Sequence, residues 1–310
     1  MPSPELYAET IAKRVEAKKS GDKATANALK LVLNTTYGAM LHEFNDLYDP
    51  LMGRSVCITG QLFLLELTEH LMKECPSLKV VQLNTDGIMV SFDNSDEAKW
   101  QEITQEWQDR TGFVLEEDFI RKVVQRDVNN YVEVPMEGDE IKVKGGQLVR
   151  GIDDKGAWKI NNNAVIVAKA IQDFFVKGAT PEETINASEN VLDFQLIAKA
   201  SSKYKAVYQM TNAGSERAQR CNRVYASKDK TLGTLYKVHG ETGRDAKIAG
   251  LPTHCIIDND NHLTLDDVDK KWYVKLAWKY IKDFQGVKAP KKNTRKINKL
   301  IKDALKVLED

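Results

Sequence analysis

No run of apolar residues in this chain approaches the roughly 20 needed to cross a bilayer as a helix, and the N-terminus shows no signal-peptide pattern. Both absences point to the cytoplasm, with no membrane partner. Cysteine is scarce: Cys57, Cys75, Cys221 and Cys255 lie far apart and form no Cys-x-x-Cys pair. They read as reduced thiols, with neither a disulfide framework nor a zinc site. His42, His70, His239, His254 and His262 show no metal-ligand spacing, and neither standard glycine-rich phosphate loop is present. Internal repeats and low-complexity linkers are missing too. An excess of one charge sign is also lacking, since 45 Lys and Arg face 45 Asp and Glu over 310 residues.

Zero net charge argues against a polyanionic partner only if the charges are evenly spread, and they are not. From Asp93 to Asp118 there are nine acids against two basic residues; from Lys199 to Lys247 there are eleven basic residues against four acids. The stretch from Lys288 to Lys306 is basic again. A chain polarised in this way can hold a polyanion on one side, although solvated surface accounts equally well for any single run.

Two stretches carry the most chemistry. The first, Val80-Val81-Gln82-Leu83-Asn84-Thr85-Asp86-Gly87-Ile88-Met89-Val90-Ser91-Phe92, has two apolar β-rich runs around a polar tip. Asp-Gly at the tip supplies the residue that tolerates positive φ, so the stretch predicts a hairpin over Lys79 to Phe92. Asp86 is then either an ordinary turn aspartate facing water or a carboxylate held at a rigid tip for a divalent ion. The second stretch is Lys30-Leu31-Val32-Leu33-Asn34-Thr35-Thr36-Tyr37-Gly38. As a helix it places Lys30, Asn34, Tyr37 and Gly38 on one face, while Leu31, Val32 and Leu33 turn elsewhere into packing. An ammonium, an amide, a phenol ring and a bare backbone suit a ligand with a phosphate end and a flat end. A partly exposed amphipathic helix is the plain alternative.

Together these stretches resemble motifs of family B DNA polymerases. Lys30-x-x-x-Asn34-Thr35-Thr36-Tyr37-Gly38 is similar to the family's fingers-helix motif, Lys-x-x-x-Asn-Ser-x-Tyr-Gly. The tip Asn84-Thr85-Asp86-Gly87 is similar to its palm hairpin, Asp-Thr-Asp-Ser. Asn130-Tyr131-Val132-Glu133-Val134, a turn at Glu137-Gly138-Asp139, and Ile141-Lys142-Val143-Lys144-Gly145-Gly146 resemble its Lys-x-Tyr strand and the Lys-Gly strand that follows. The three agree in order and rough spacing and cover residues 10 to 150 best.

The resemblance implies an α+β fold: a helical fingers hairpin over 1–41, an antiparallel-sheet palm with helices on one face over 42–150, and a mostly helical thumb over 151–310. It implies that Asp86 binds metal and is catalytic with Lys30, and that Lys30, Asn34, Tyr37 and Gly38 bind the nucleotide, helped by Arg14 and Lys18 from the opposing helix. DNA contacts fall to Thr85, Tyr131, Lys142, Lys144 and Gly145. The implied cofactor is Mg²⁺ in a two-ion site, and the implied partners are primer–template DNA and dNTPs.

The sequence departs from the family in three places. The first hairpin carboxylate is Asn84, and the Lys of Lys-x-Tyr is Asn129, which shifts primer contact toward Arg126 or Lys122. The Asp-x-x-Ser-Leu-Tyr-Pro motif that carries the second essential carboxylate is absent; Asp46-Leu47-Tyr48 is a faint echo in the wrong order. The expected partner is therefore an N-terminal polymerase fragment that carries the exonuclease and the second catalytic Asp. The alternatives are a degenerate polymerase copy or a non-catalytic primer–template binding module.

Elsewhere the sequence predicts helices over 5–19 and 23–41, an entry loop and long helix from Arg54 to Met72, and an acidic helix over 96–111 with Trp100, Ile103 and Trp107 in the core. Strands are expected at 113–115, 120–124, 131–134 and 141–143. Further helices are expected over 161–177, from Thr180 to about Lys199, over 273–284 and over 293–308; between them 202–257 is mixed, with Tyr204, Tyr208, Tyr225 and Tyr236 alternating with basic residues, either as part of the DNA grip or as strand residues packing a small sheet.

Overall fold

The computed structural model describes residues 4–151 and 163–286. The basic stretch from Lys288 to Lys306, the helix expected over 293–308 and the first residues of the helix expected from Asn161 lie outside them. The architecture is α+β, with helices and several antiparallel sheets, in two compact units divided in sequence between Glu117 and Asp118.

The first unit opens with α1 (Pro4–Lys19) and α2 (Lys23–Met40), a helical hairpin. Gly21 at φ +78° turns the chain, and the Asp22 carboxylate caps α2 by accepting from the Thr25 N–H at 3.0 Å. Ala17, Ala26 and Leu33 are its buried residues. Of the three residues expected to pack around the Lys30 face, only Leu33 is buried; Leu31 and Val32 are 69% and 56% exposed. The reason is helical geometry: Ala26 and Leu33, seven residues apart, share one stripe, and Leu31 and Val32 fall off it.

Helix α3 (Pro50–Glu74) starts without the expected entry loop, because Asp49 caps the Met52 N–H at 2.9 Å and Pro50 takes the first helical position. Strands β1 (Lys79–Leu83) and β2 (Ile88–Ser91) form the expected hairpin, followed by α4 (Glu97–Thr111), which ends on left-handed Gly112. Leu67 and Leu71 of α3, Ile103 and Trp107 of α4, and Cys75 and Leu78 make a small core, and Ile88, Val90 and Phe92 of the hairpin pack onto it. Trp100, expected inside, is half-buried at the edge and stacks on Phe92 at 5.6 Å. No strand forms at 113–115; Phe113 instead stacks on Trp107 and meets Phe63 edge-on.

The second unit begins with a meander of β3 (Ile120–Asp127), β4 (Asn130–Pro135) and β5 (Lys142–Lys144). Its strand order is β3-β4-β5, antiparallel throughout. Next come α5 (Val165–Lys177) and α6 (Pro181–Ala187), the latter started by a Thr180–Glu183 capping box. Helix α6 stops well short of Lys199: Asn190 accepts from the Leu192 N–H, opens a short 3₁₀ turn, and Phe194 is buried at its end.

The mostly helical character expected after residue 150 is corrected by seven more strands: β6 (Leu196–Lys199), β7 (Tyr204–Thr211), β8 (Gly214–Ala218), β9 (Cys221–Ala226), β10 (Leu232–His239), β11 (Asp245–Lys247) and β12 (Cys255–Ile257). They make a four-stranded sheet, β11-β10-β7-β8, and a three-stranded sheet, β12-β9-β6. The cause is period-two patterning: Val207 and Gln209 of β7 are buried while Ala206, Tyr208 and Met210 are not. Helix α7 (Lys270–Phe284) lays Tyr273, Ala277, Ile281 and Phe284, at helical spacing, into a core shared with α5 and both sheets.

Candidate functional site

Helix α2 runs unbroken through the Lys30–Gly38 stretch, so Lys30, Asn34, Tyr37 and Gly38 share one face. Lys30, Asn34 and Gly38 are exposed and Tyr37 is half-buried. The Tyr37 hydroxyl lies 2.8 Å from the Cys57 sulfur of α3, which fixes the ring and raises its pKa. On α1, the Arg14 Nε is buried and has no hydrogen-bond partner among the described residues. Its guanidinium therefore keeps an unspent donor. Lys18 is ion-paired with Glu116, with both side chains exposed; such a pair is worth about 0–1 kcal/mol and gives way easily to a stronger anion.

Gly38 has no internal reason to be glycine. A Cβ built there meets nothing within 4 Å, and its φ is not positive. Glycine in a helix costs about 0.5–1 kcal/mol relative to alanine, and no close approach within the chain offsets it. Gly38→Ala should therefore stabilise the first unit by about that amount in urea denaturation, while weakening the binding of any ligand that needs the bare backbone. Lower stability in this variant would show that Gly38 serves the chain's own packing.

At the hairpin, residues 84–87 form the tip, closed by a 2.8 Å bond from the Asn84 N–H to the Gly87 carbonyl. Thr85 and Asp86 are exposed there. A Mg²⁺ ion takes about six oxygens and is held by one or two carboxylates with water and substrate phosphate. Asp86 fits such an ion as a single carboxylate ligand. Among the described residues no group of three or more His, Cys, Asp or Glu side chains is placed to hold a metal.

The remaining predicted residues lie in the second unit. Tyr131 of β4 pairs in register with Lys144 of β5, whose ammonium sits 5.8 Å from the ring centroid. Lys142 pairs with Asp118 at 2.7 Å and stands opposite Glu133, so much of its charge is already matched. The Asp118 hydrogen bond raises the Lys142 pKa, and burial raises that of Glu133. Gly145 has an internal reason: φ is +112°, and a Cβ would strike Asn130 and the Asn129 carbonyl. Lys122 donates to the Phe175 carbonyl at 2.6 Å, and Arg126 is ion-paired with Asp127 and lies over Phe284. Both therefore already have structural partners.

Sequence reasoning missed one basic concavity. A cavity of about 600 Å³ at the start of α7 has Lys228, Lys230, His254, Lys270 and Lys271 in its lining, with Asp266 and Asp269 among them. Lys228 and Lys270 spend hydrogen bonds on the carbonyls of Asp266, Asn186 and Ser188. The lining residues come from places up to 85 positions apart in sequence, so no local pattern announces them. No family model matches the chain, and no curated protein matches it either.

Proposed function

We propose that the chain is the C-terminal polymerase portion of a family B DNA-directed DNA polymerase, completed by a second polypeptide segment that supplies the other catalytic Asp and the exonuclease. In this reading α1 and α2 are the fingers, the β1–β2 hairpin is the catalytic tip of the palm, and the later residues grip primer–template DNA. The observation that carries it is the placement of two motifs on the kinds of element the chemistry asks for. Lys30, Asn34, Tyr37 and Gly38 share one accessible helix face, and Asp86 stands exposed on a closed hairpin tip.

Mg²⁺ held in part by Asp86 would supply activation of the primer 3′-hydroxyl and neutralisation of the triphosphate charge. The chain's own residues do the rest. Asp86 provides half of the anionic ligand set. Lys30 and Arg14 hold the triphosphate as cationic donors. The Tyr37 ring packs against the nucleotide, and Gly38 lets it approach the helix. The need for a second segment is supported by the sequence, which lacks the Asp-x-x-Ser-Leu-Tyr-Pro motif that carries the other carboxylate.

The test is primer extension. The chain alone, given Mg²⁺ and dNTPs, should incorporate nothing; with a segment carrying Asp-x-x-Ser-Leu-Tyr-Pro it should extend primers on a template. Robust template-directed incorporation by the chain alone would overturn the shared site. In the complete enzyme, Lys30→Ala should raise the dNTP concentration needed by about tenfold or more and also slow the step, because a point charge on the triphosphate is lost. Tyr37→Phe should cost less than Tyr37→Ala, since it keeps the ring and loses only the contact to Cys57. An unchanged dNTP dependence in Lys30→Ala would remove α2 from the nucleotide site.

A further inference from the structure

The four-stranded sheet of the second unit carries a row of side chains that the proposed chemistry does not use. Tyr208 of β7 pairs with Arg217 of β8 on one side and Tyr236 of β10 on the other, and Tyr236 pairs with Lys247 of β11. Residues directly opposite one another across a sheet point to the same face. Arg217, Tyr208, Tyr236 and Lys247 therefore form one line across four strands, roughly 14 Å from end to end. The face is the one turned away from the core, because Val207 and Leu235, the next residues along β7 and β10, are buried while the two tyrosines are not.

The two tyrosine rings are stacked, with centroids 5.8 Å apart and planes 12° from parallel. The Tyr208 hydroxyl donates to Asp245 at 2.6 Å, which anchors that ring. Arg217 and Lys247 are exposed and make no ion pair among the described residues. Met210, on the same face of β7, is 42% exposed. Parallel aromatic rings between two uncommitted cations match a ligand that is flat and apolar in the middle and anionic at its edges. The surrounding stretch from Lys199 to Lys247, with eleven basic residues and four acids, fits a polyanion.

We propose that this sheet face binds single-stranded nucleic acid, stacking unpaired bases on Tyr208 and Tyr236 and holding the flanking phosphates with Arg217 and Lys247. Stacking requires exposed base faces, so it selects unpaired strands over duplex, where the faces are covered. The row has room for about two bases between its terminal cations. Asp245 keeps the Tyr208 ring in place and repels phosphate from the ring's hydroxyl edge, so the backbone runs toward Arg217 and Lys247.

The test is fluorescence anisotropy with the full chain, in EDTA and without dNTP or a second chain, so that neither Asp86 nor Lys30 enters and the catalytic reading stands or falls separately. The probes are a labelled 12-nucleotide DNA single strand, the equivalent RNA, the corresponding DNA duplex, and a base-free phosphodiester chain. Both single strands, or one of them, should bind more tightly than the duplex and the base-free chain; which one prevails identifies the strand type. Tyr208→Ala and Tyr236→Ala should each weaken single-strand binding roughly 5- to 100-fold, whereas Tyr236→Phe should stay near wild type. Arg217→Ala and Lys247→Ala should each lower the salt slope by about one. If an alanine variant melts at a lower temperature, the Tyr236→Phe, Arg217→Ala and Lys247→Ala variants still decide the matter. Equal affinity for duplex or the base-free chain, or single-strand binding indifferent to these residues, overturns the proposal.

Discussion

Asp86→Asn should abolish primer extension by the completed enzyme, with a loss of roughly 10³-fold or more. The substitution keeps the size of the side chain and its place on the tip, and it removes one formal negative charge from the ligand set of both ions. Because Asp86 is exposed at a turn closed by backbone atoms, the hairpin itself should be unaffected. Thermal melting of the variant should therefore match wild type. Metal association should not: Mn²⁺ relaxation measurements on the completed enzyme should show weakened binding. Asn84 beside it already offers a neutral amide, so a second amide leaves the tip with no charge at all. If Asp86→Asn extends primers like wild type, the hairpin is an ordinary turn and the chain is a primer–template binding module.

The second large effect concerns stability and does not depend on the function. Tyr273 of α7 is fully buried, and its hydroxyl donates to the Phe194 carbonyl at 2.6 Å while accepting from the Ala226 N–H at 3.1 Å. Burial pushes its pKa upward, so the hydroxyl stays protonated and available for both bonds. Tyr273→Phe keeps the ring and leaves a buried carbonyl and a buried N–H without partners. Each orphaned group costs about 1–3 kcal/mol, so the variant should lose about 2–6 kcal/mol. Calorimetry should show the melting of the second unit shifted down by roughly 4–20 °C. An unchanged Tm would mean that the Phe194 and Ala226 groups find other partners at no cost.

Tyr273 also shows what local reading misses. Its helix was legible, because Tyr273, Ala277, Ile281 and Phe284 recur at helical spacing. Its role was not, because Phe194 and Ala226 lie 79 and 47 residues away. The strands from β6 to β12 were only partly legible, the chain over 202–257 reading as mixed, for a related reason. Lysines and arginines between the tyrosines hide a two-residue period whose buried half is mixed, including Gln209, which satisfies itself on the carbonyls of Gly233 and Cys255. The end of α6 turned on a single side-chain cap at Asn190, which averaged propensity does not register.

Local chemistry in the chain was enough to specify the α1–α2 hairpin, the hairpin tip at residues 84–87, the cap at Thr180-Pro181-Glu182-Glu183, and the common face of Lys30, Asn34, Tyr37 and Gly38. Each of these depends on neighbours within about one or two turns, where backbone geometry follows directly from residue type. Three-dimensional packing settled the rest: that Leu31 and Val32 stay exposed, that Gly38 is unconstrained while Gly145 is forced, that Lys142 is matched by Asp118, and that Arg217, Tyr208, Tyr236 and Lys247 line up across four strands. Those outcomes depend on which distant segments meet. Strand register and burial are set by the free energy of the whole core, and no window of the sequence contains it.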